Sequence, residues 1–200
     1  MSNKHEKADK RLSIVMAALD LITENGFHGA PTSKIAAKAG VGEGSIYRYF
    51  NNKEDLIHQV FRHVSGQMSK AVLQDHDPKA PIREQYLQLG VNIFHFLLEN
   101  PKIQTFNEQY FNSPFGVSHR RDMLVVDRTK KDPDQFHPVD ALLESARDQK
   151  IVKELPLPVL TALTFGPIIF LVRDVSFGLF DLDPRTVRKI VEACWDAVKR

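Results

Sequence analysis

Cysteine is almost absent from this 200-residue chain. Cys194 is the only one, which excludes an intramolecular disulfide and a zinc site built from several cysteines of one chain. A reducing compartment suits such a sequence, and we expect the cytoplasm. Eight histidines are present, but none forms a pair with the spacing of a zinc-protease motif. We therefore expect no metal and no other cofactor.

The sequence also lacks the spacings that common enzyme classes use. Gly40, Gly42 and Gly44 do not match the dinucleotide-binding fingerprint, and the Gly-Lys-Ser of a phosphate-binding loop does not occur. Neither a Ser-His-Asp arrangement nor a catalytic pair of carboxylates can be assigned. The sequence therefore does not predict an enzyme.

Long apolar runs and a strong net charge are missing as well. The most apolar segment, 159–180, is interrupted by Arg173 and Asp174, so we interpret it as a buried helix and expect no membrane partner. The N-terminus has no apolar stretch resembling a signal peptide. The formal net charge is only +2, so bulk charge does not identify a nucleic-acid-binding protein.

Residues 32–56 have the pattern of two short helices joined by a glycine turn. Thr32 is a suitable N-cap for the first helix, and Gly40 can adopt the left-handed conformation that ends it. This pattern is a helix-turn-helix, so double-stranded DNA is the first partner to consider. The apolar residues that give the two helices their inner faces are Ile35, Ala36, Ala39, Val41, Ile46 and Phe50.

The opposite side of the second helix carries polar groups and flat rings that suit a major groove and its flanking phosphates. Glu43 has three interpretations: its carboxylate accepts from a cytosine amino group, it repels phosphate and so sharpens selectivity, or it is a solvated acid favoured by the helix dipole. Glycine at position 44 costs a helix about 1 kcal/mol relative to alanine, which close approach to DNA would explain. The residues on this side are Glu43, Gly44, Ser45, Tyr47, Arg48 and Tyr49.

This motif resembles the N-terminal domain of the TetR family of bacterial transcription regulators. The resemblance implies an all-α fold, with a three-helix helix-turn-helix domain at residues 1–55 and a helical ligand-binding and dimerisation domain at 56–200. Gly42 departs from the family pattern, which usually has a Ser or Thr there to cap the recognition helix. The family pattern is met at Thr32, Ile35, Ala36, Ala39, Gly40, Val41, Gly44, Ile46, Tyr47, Tyr49, Phe50, Lys53, Glu54 and Leu56.

The resemblance also implies roles for the DNA-binding residues. Phosphate contacts are expected from Tyr47, Tyr49 and Lys53. The residues expected closest to base edges are Gly44, Ser45 and Arg48. Thr32 and Glu43 complete the predicted DNA-binding set. The basic residues ahead of the first helix core have two interpretations: they form a flexible arm that reaches phosphate, or they belong to an ordinary solvated terminus. Those residues are Lys4, Lys7, Lys10 and Arg11.

Apolar periodicity and proline positions divide the remaining chain into helices. The first helix is predicted to end at Asn25-Gly26, and the fourth to begin after Asn52 and reach about Gln74. Residues 117–137 are interpreted as a short helix within a mobile connection. The other predicted helices cover 81–99, 101–112, 138–150, 159–180 with a kink at Gly166-Pro167, and the segment after an N-cap at Asp183.

The segment 159–180 is apolar nearly all round, so it needs cover on more than one side. In the TetR family the last two long helices usually pair with their copies, and a two-fold dimer reads two half-sites of DNA. We therefore predict a homodimer through the last two helices. A charge at Val191 or Val198 of the final helix is expected to disrupt it.

The C-terminal part also has many aromatic residues on the helices that enclose a ligand pocket in relatives. Plain core packing is the alternative for each of these rings. Arg173, which is next to Asp174, either lines the pocket or pairs in the dimer interface. The predicted ligand-binding residues are Phe94, Phe106, Tyr110, Phe165 and Arg173.

The function predicted from these features is a DNA-binding regulator, and most specifically a repressor released by a small apolar or amphipathic ligand. Two alternatives stay open. One is a regulator without a small-molecule ligand, and the other is a small-molecule binding protein with a vestigial DNA-binding head.

Overall fold

The computed structural model describes residues 2–125 and 138–200, which are mainly helical, as predicted. Within these two ranges the extended structure is a single antiparallel bridge between Val152 and Lys199. The helices are α1 (Ser2–Gly29), α2 (Thr32–Lys38), α3 (Glu43–Ile46), α4 (Lys53–Val72), α5 (Ile82–Glu99), α6 (Pro101–Phe111), α7 (Pro114–Val125), α8 (Pro138–Asp148), α9 (Leu157–Ser176) and α10 (Pro184–Val198).

The described residues divide into two compact units. The first contains 2–65 together with 102–125, and the second contains 66–101 together with 138–200. The helix-turn-helix thus shares a unit with most of α6 and all of α7. The division predicted by role, into 1–55 and 56–200, stays a prediction. The predicted mobile connection lies outside the described residues from position 126 onward.

The N-terminal segment is helical from Ser2, so the flexible arm, one of the two alternatives for this region, is wrong. The helix has no break until Gly26, whose φ of 70° interrupts it where an end was predicted, and a last turn continues to Gly29. Ile14 and Ile22 of α1 are fully buried and anchor it in the first unit.

The start of α4 is set by two side-chain caps. The Asn52 Oδ1 accepts a hydrogen bond from the backbone N–H of Asp55 at 2.7 Å, and an Asp55 carboxylate oxygen accepts from the N–H of Asn51 at 2.9 Å. The first bond satisfies a donor that the helix leaves unpaired, and the second holds the chain just before the helix. The predicted start after Asn52 is confirmed.

Tyr86 of α5 lies at the centre of the second unit. Its ring centroid is 5.3 Å from that of Phe165 on α9 and 5.0 Å from that of Trp195 on α10. Its hydroxyl donates to the carbonyl oxygen of Thr164 at 3.1 Å, so the buried polar atom is satisfied. Gly90 lets α5 approach α10, because a Cβ there would lie 2.5 Å from Cγ1 of Val191.

The apolar stripe of α10 is part of this core. Val191 and Val198 are 0 % exposed and Cys194 is also buried, all within a single chain. The prediction that Val191 and Val198 form the dimer surface is therefore wrong, because α5 and α9 of the same chain already cover the stripe. The predicted N-cap is confirmed: the Asp183 carboxylate accepts from the N–H groups of Arg185 and Thr186.

Helix α9 is only partly buried within the single chain, which leaves one side of its apolar surface without cover. It runs through Pro167 and ends at Ser176, earlier than predicted, and Gly178 follows in the left-handed conformation with φ of 69°. Its length and apolar composition alone would suit a membrane crossing. The exposed large apolar residues of α9 and the turn after it are Val159, Leu163, Ile169, Phe170, Phe177, Leu179 and Phe180.

Candidate nucleic-acid interface

The turn between α2 and α3 is held by glycine and by backbone hydrogen bonds. Gly40 has φ of 68°, the left-handed conformation predicted for it. The N–H of Val41 donates to the carbonyl of Ala36 at 3.0 Å, which is the bond expected where a helix ends on a left-handed residue. Ile35, Ile46 and Phe50 are at most 2 % exposed, so both helices are fixed to the body of the first unit.

Thr32 does not cap α2 as predicted. Pro31 occupies the N-cap position with no side-chain cap, and Thr32 is the first helical residue. The Thr32 hydroxyl instead donates to a carboxylate oxygen of Glu43 at 3.1 Å. This contact joins the start of α2 to the start of α3, and eleven positions of separation hid it from any local sequence pattern.

Helix α3 is shorter than the recognition helix predicted to reach Phe50. It covers only Glu43–Ile46 and continues as a turn that carries Tyr47, Arg48 and Tyr49. Gly42 precedes it without a side-chain cap, as its missing side chain predicts. The helix is nevertheless well supported, because Ile46 is fully buried.

The polar side of this segment is open to solvent. Glu43, Gly44 and Arg48 are exposed, and Tyr47 is 55 % exposed despite its large apolar ring. Ser45 and Tyr49 are half-buried. A Cβ at Gly44 would meet no other atom within 4 Å, so this chain leaves the space in front of the backbone empty. The surface formed by residues 43–45, 47–49 and Lys53 is called the reading face below.

Lys53 lies at the first position of α4 and has a structural contact that sequence reasoning missed. Its ammonium group donates to the carbonyl oxygen of Phe27 in the last turn of α1 at 2.7 Å. Desolvation by burial lowers the pKa of Lys53. An ammonium group has three donors, so this bond leaves others for a phosphate.

Arg11 is also held in place by other helices of the first unit. Its guanidinium donates to the side-chain oxygen of Gln59 on α4 at 2.6 Å. The same group lies over the Phe50 ring, with Cζ 5.2 Å from the ring centroid. No sequence signal pairs residues so far apart along the chain.

The predicted ligand-binding residues fall in both compact units. Phe106 and Tyr110 belong to an aromatic cluster of the first unit, with ring centroids 5.7 Å apart, and His58 Nδ1 lies 3.0 Å from the Tyr110 hydroxyl. In the second unit, Phe94 and Phe165 are at most 3 % exposed. Their assignment to a ligand site stays a prediction.

Arg173 is half-buried on α9. Its guanidinium lies 4.2 Å from the centroid of the Phe170 ring and 3.3 Å from a carboxylate oxygen of Asp174. This pair with Asp174 lies within one chain. Whether Arg173 contacts a ligand or a second copy stays a prediction.

A cleft of about 540 Å³ lies within the second unit, between α8 and the α4–α5 connection. The five predicted ligand-binding residues are absent from its lining. The aromatic residues of the sequence placed the predicted ligand site on other helices. Rings that fill a core and rings that line a cavity have the same sequence pattern, so aromatic content does not identify a cavity lining.

The family comparison agrees with this architecture in both parts of the chain. Residues 14–60 match the family described as bacterial regulatory proteins, tetR family. Residues 81–199 match the tetracyclin repressor-like C-terminal domain. The chain belongs to the TetR family. It is thus an all-α, helix-turn-helix, DNA-binding transcriptional regulator, and the resemblance seen in the motif is confirmed.

Relatives within the TetR family include proteins of known structure. A TetR-family transcriptional regulator from Haemophilus influenzae is 27 % identical, with a TM-score of 0.78 over 98 % of this chain and 99 % of that one. A fatty acid metabolism regulator protein from Bacillus subtilis is 41 % identical over 80 residues, which are 40 % of this chain and 41 % of that protein. The regulator FadR from Bacillus subtilis, solved with stearoyl-CoA, shares the fold: it is 23 % identical, with a TM-score of 0.66 over 92 % and 95 % of the two chains.

Proposed function

We propose that this TetR-family protein is a cytoplasmic repressor that binds a DNA operator as a homodimer and leaves it when a small apolar or amphipathic molecule binds the C-terminal domain. The observation that carries the proposal is the reading face, which is exposed and polar but mounted on fully buried residues such as Ile46. A rigid support under exposed donors and acceptors is what base and phosphate recognition needs.

On the reading face, phosphate contacts are assigned to Tyr47, Tyr49 and Lys53. Base contacts are assigned to Glu43, Gly44, Ser45 and Arg48. The open space in front of Gly44 supports a close approach of its backbone to the groove. Thr32 has an indirect role, because its hydroxyl is bonded to Glu43.

The dimer is proposed to form through α9. Val159, Leu163 and Phe170 follow one another at intervals of four and seven residues, so they lie on one face of the helix. Each is at least 40 % exposed in the single chain, and Phe177 extends this face at 69 % exposure. A continuous exposed apolar face marks an interaction site, and self-pairing of α9 would cover it.

A ligand response is supported by the cleft in the second unit and by the relatives. The FadR structure from Bacillus subtilis contains stearoyl-CoA, which shows that a protein of this fold holds a small molecule. A regulator with no small-molecule ligand is the second candidate, and the cleft of about 540 Å³ argues against it. Ligand binding must differ between the DNA-bound and free states to shift operator affinity.

The test is to footprint the purified protein on its own genomic DNA and then titrate the protected fragment at several salt concentrations. We expect protection of a site with two related half-sites, and log affinity that falls linearly with log salt. Arg48→Ala on the reading face should weaken binding, whereas Arg185→Ala at the exposed start of α10 should not. If no genomic fragment shows salt-dependent protection, the protein does not bind an operator. The alternative of a small-molecule binding protein with a vestigial DNA-binding head would then be favoured.

A further inference from the structure

The cleft in the second unit is lined mainly by apolar side chains. Leu73 follows the end of α4, Ile82 and Leu89 belong to α5, and Leu142 belongs to α8. The cleft thus lies between three elements of one compact unit. Such walls remove a guest's apolar surface from water, which is the main source of affinity for small ligands.

The polar groups of the cleft are few and neutral. They come from His76, Gln85, Ser145 and Gln149, and among the described residues that line the cleft there is no Asp, Glu, Lys or Arg. A carboxylate or phosphate on a guest would lose hydration without gaining a cationic partner from these described residues. The lining therefore favours an uncharged guest.

The hydrogen-bond network determines which polar atom a guest can use. The Gln85 side-chain amide donates to the carbonyl oxygens of Pro78 and Ala80 at 3.2 and 2.7 Å, so its orientation is set. Its oxygen lies 3.0 Å from His76 Nε2. That oxygen can only accept, so His76 carries a proton on Nε2, and in the neutral ring Nδ1 is left as an acceptor.

From these observations we infer that the cleft is a binding site for a neutral, largely apolar small molecule with one hydroxyl or N–H group that donates to His76 Nδ1. This inference deepens the proposed ligand response and rests on it for its regulatory meaning. The site also adjoins the end of α4, where the Asn92 side chain donates to the carbonyl oxygens of Val72 and Gln74 at 3.0 and 2.9 Å.

Two fluorescent probes that differ by one charged group test the inference. N-phenyl-1-naphthylamine is neutral and apolar with a single N–H donor, and 8-anilino-1-naphthalenesulfonate has the same ring system with an added sulfonate. We expect the neutral probe to bind the full-length protein at least about tenfold more tightly, because the described lining residues offer the sulfonate no cationic partner. Equal or tighter binding of the sulfonate would overturn the inference.

Three variants show whether the neutral probe occupies this cleft. Ala141→Trp adds an indole to the lining from an exposed position of α8 and should abolish binding, whereas Asp148→Trp on the same helix lies outside the lining and should leave it unchanged. His76→Phe keeps a ring but removes the acceptor, and should weaken binding by about tenfold. Unchanged binding to Ala141→Trp or His76→Phe would place the probe elsewhere and contradict the inference. The assay contains no DNA, so failure of operator binding is detected separately.

Discussion

At the scale of single residues, Glu43 is oriented by a partner outside its own helix. One carboxylate oxygen accepts from the Thr32 hydroxyl, while the residue as a whole stays exposed on the reading face. A carboxylate is an acceptor only, and in the major groove it is matched by the amino group of cytosine. The hydrogen bond restricts the side-chain rotamers and so favours one position for the free oxygen.

Replacement of Glu43 by glutamine should therefore change which base is preferred at one position of each half-site. Wild type should select cytosine there, and Glu43→Gln should move the preference toward adenine, because an amide both donates and accepts. Thr32→Val should reduce the cytosine preference by about threefold to tenfold without replacing it, since it removes a contact worth about 1 kcal/mol. Sequencing of DNA selected from a randomised half-site measures these preferences.

The neighbouring Ser33→Ala is the control for Thr32→Val, because Ser33 is exposed on the same turn of α2. Its selected sequences should equal those of wild type. An identical base profile for Glu43→Gln and wild type would mean that Glu43 is a solvated acid with no role in reading.

Lys53 combines a structural bond with a predicted phosphate contact, and the two can be separated. Lys53→Ala should lower the slope of log affinity against log salt by about one, because one phosphate contact is lost. It should also lower the free energy of unfolding by about 1 kcal/mol, since the Phe27 carbonyl loses its donor.

Fluorescence anisotropy with operator DNA at four or more salt concentrations gives that slope, and urea denaturation gives the stability. Lys34→Ala is the control for Lys53→Ala, because it also removes one cation, from an exposed site on α2. A stability loss with an unchanged slope would leave Lys53 with its structural role alone.

At the scale of helices, α9 and α10 show that an apolar stripe predicts burial but does not predict whether the same chain or a second copy covers it. The stripe of α10 is covered by its own chain, whereas α9 exposes Leu163 and Phe170. The dimer prediction therefore moves from the final helix to α9. Gly166 lies between these two residues and a Cβ there would meet nothing within 4 Å, so a second helix can come close at this point.

Leu163→Glu and Phe170→Glu should convert the protein from a dimer to a folded monomer. Each places a charge on the apolar face, where pairing would bury it at a cost of several kcal/mol. Gln88→Glu, exposed on α5, is the control and should remain dimeric. Val191→Glu should instead unfold the chain, because Val191 is fully buried. Sedimentation velocity with circular dichroism distinguishes these outcomes, and a dimeric Phe170→Glu would show that α9 is not the interface.

Most helix starts followed closely from the sequence because their signals are local, whereas the ends of α3 and α9 did not. Asn52 and Asp183 cap the helices that they were predicted to begin, and Gly40 adopts its predicted conformation. The bond from Lys53 to Phe27 and the bond from Thr32 to Glu43 depend on the packing of separate helices. No spacing rule encodes such contacts, which is why part of the site could not be predicted.

At the scale of the whole molecule, α4 contributes residues to both compact units as one uninterrupted helix, Lys53–Val72. Its first residue belongs to the reading face, and its last carbonyl is bonded to Asn92. We therefore expect the proposed ligand response to involve this helix, because it joins the second unit to a residue of the reading face.

The dimer should determine how strongly DNA binding responds to salt. Wild type on a fragment with two half-sites should show about twice the salt slope of Phe170→Glu, because a monomer neutralises phosphates of one half-site only. Removing one half-site should weaken wild type strongly and affect the monomeric variant little. Anisotropy titrations on the two fragments give both results, and equal slopes for the two proteins would indicate that one subunit makes all the contacts.

The burial of Cys194 has a practical consequence for measuring these changes. It is the only cysteine, it is 7 % exposed, and burial raises the pKa of its thiol, so it should react slowly with maleimide or methanethiosulfonate reagents. A single cysteine introduced at exposed Ser33 would then carry nearly all of a spin label. Pulsed electron resonance on that variant would report the distance between the two DNA-binding heads directly, with and without a guest in the cleft.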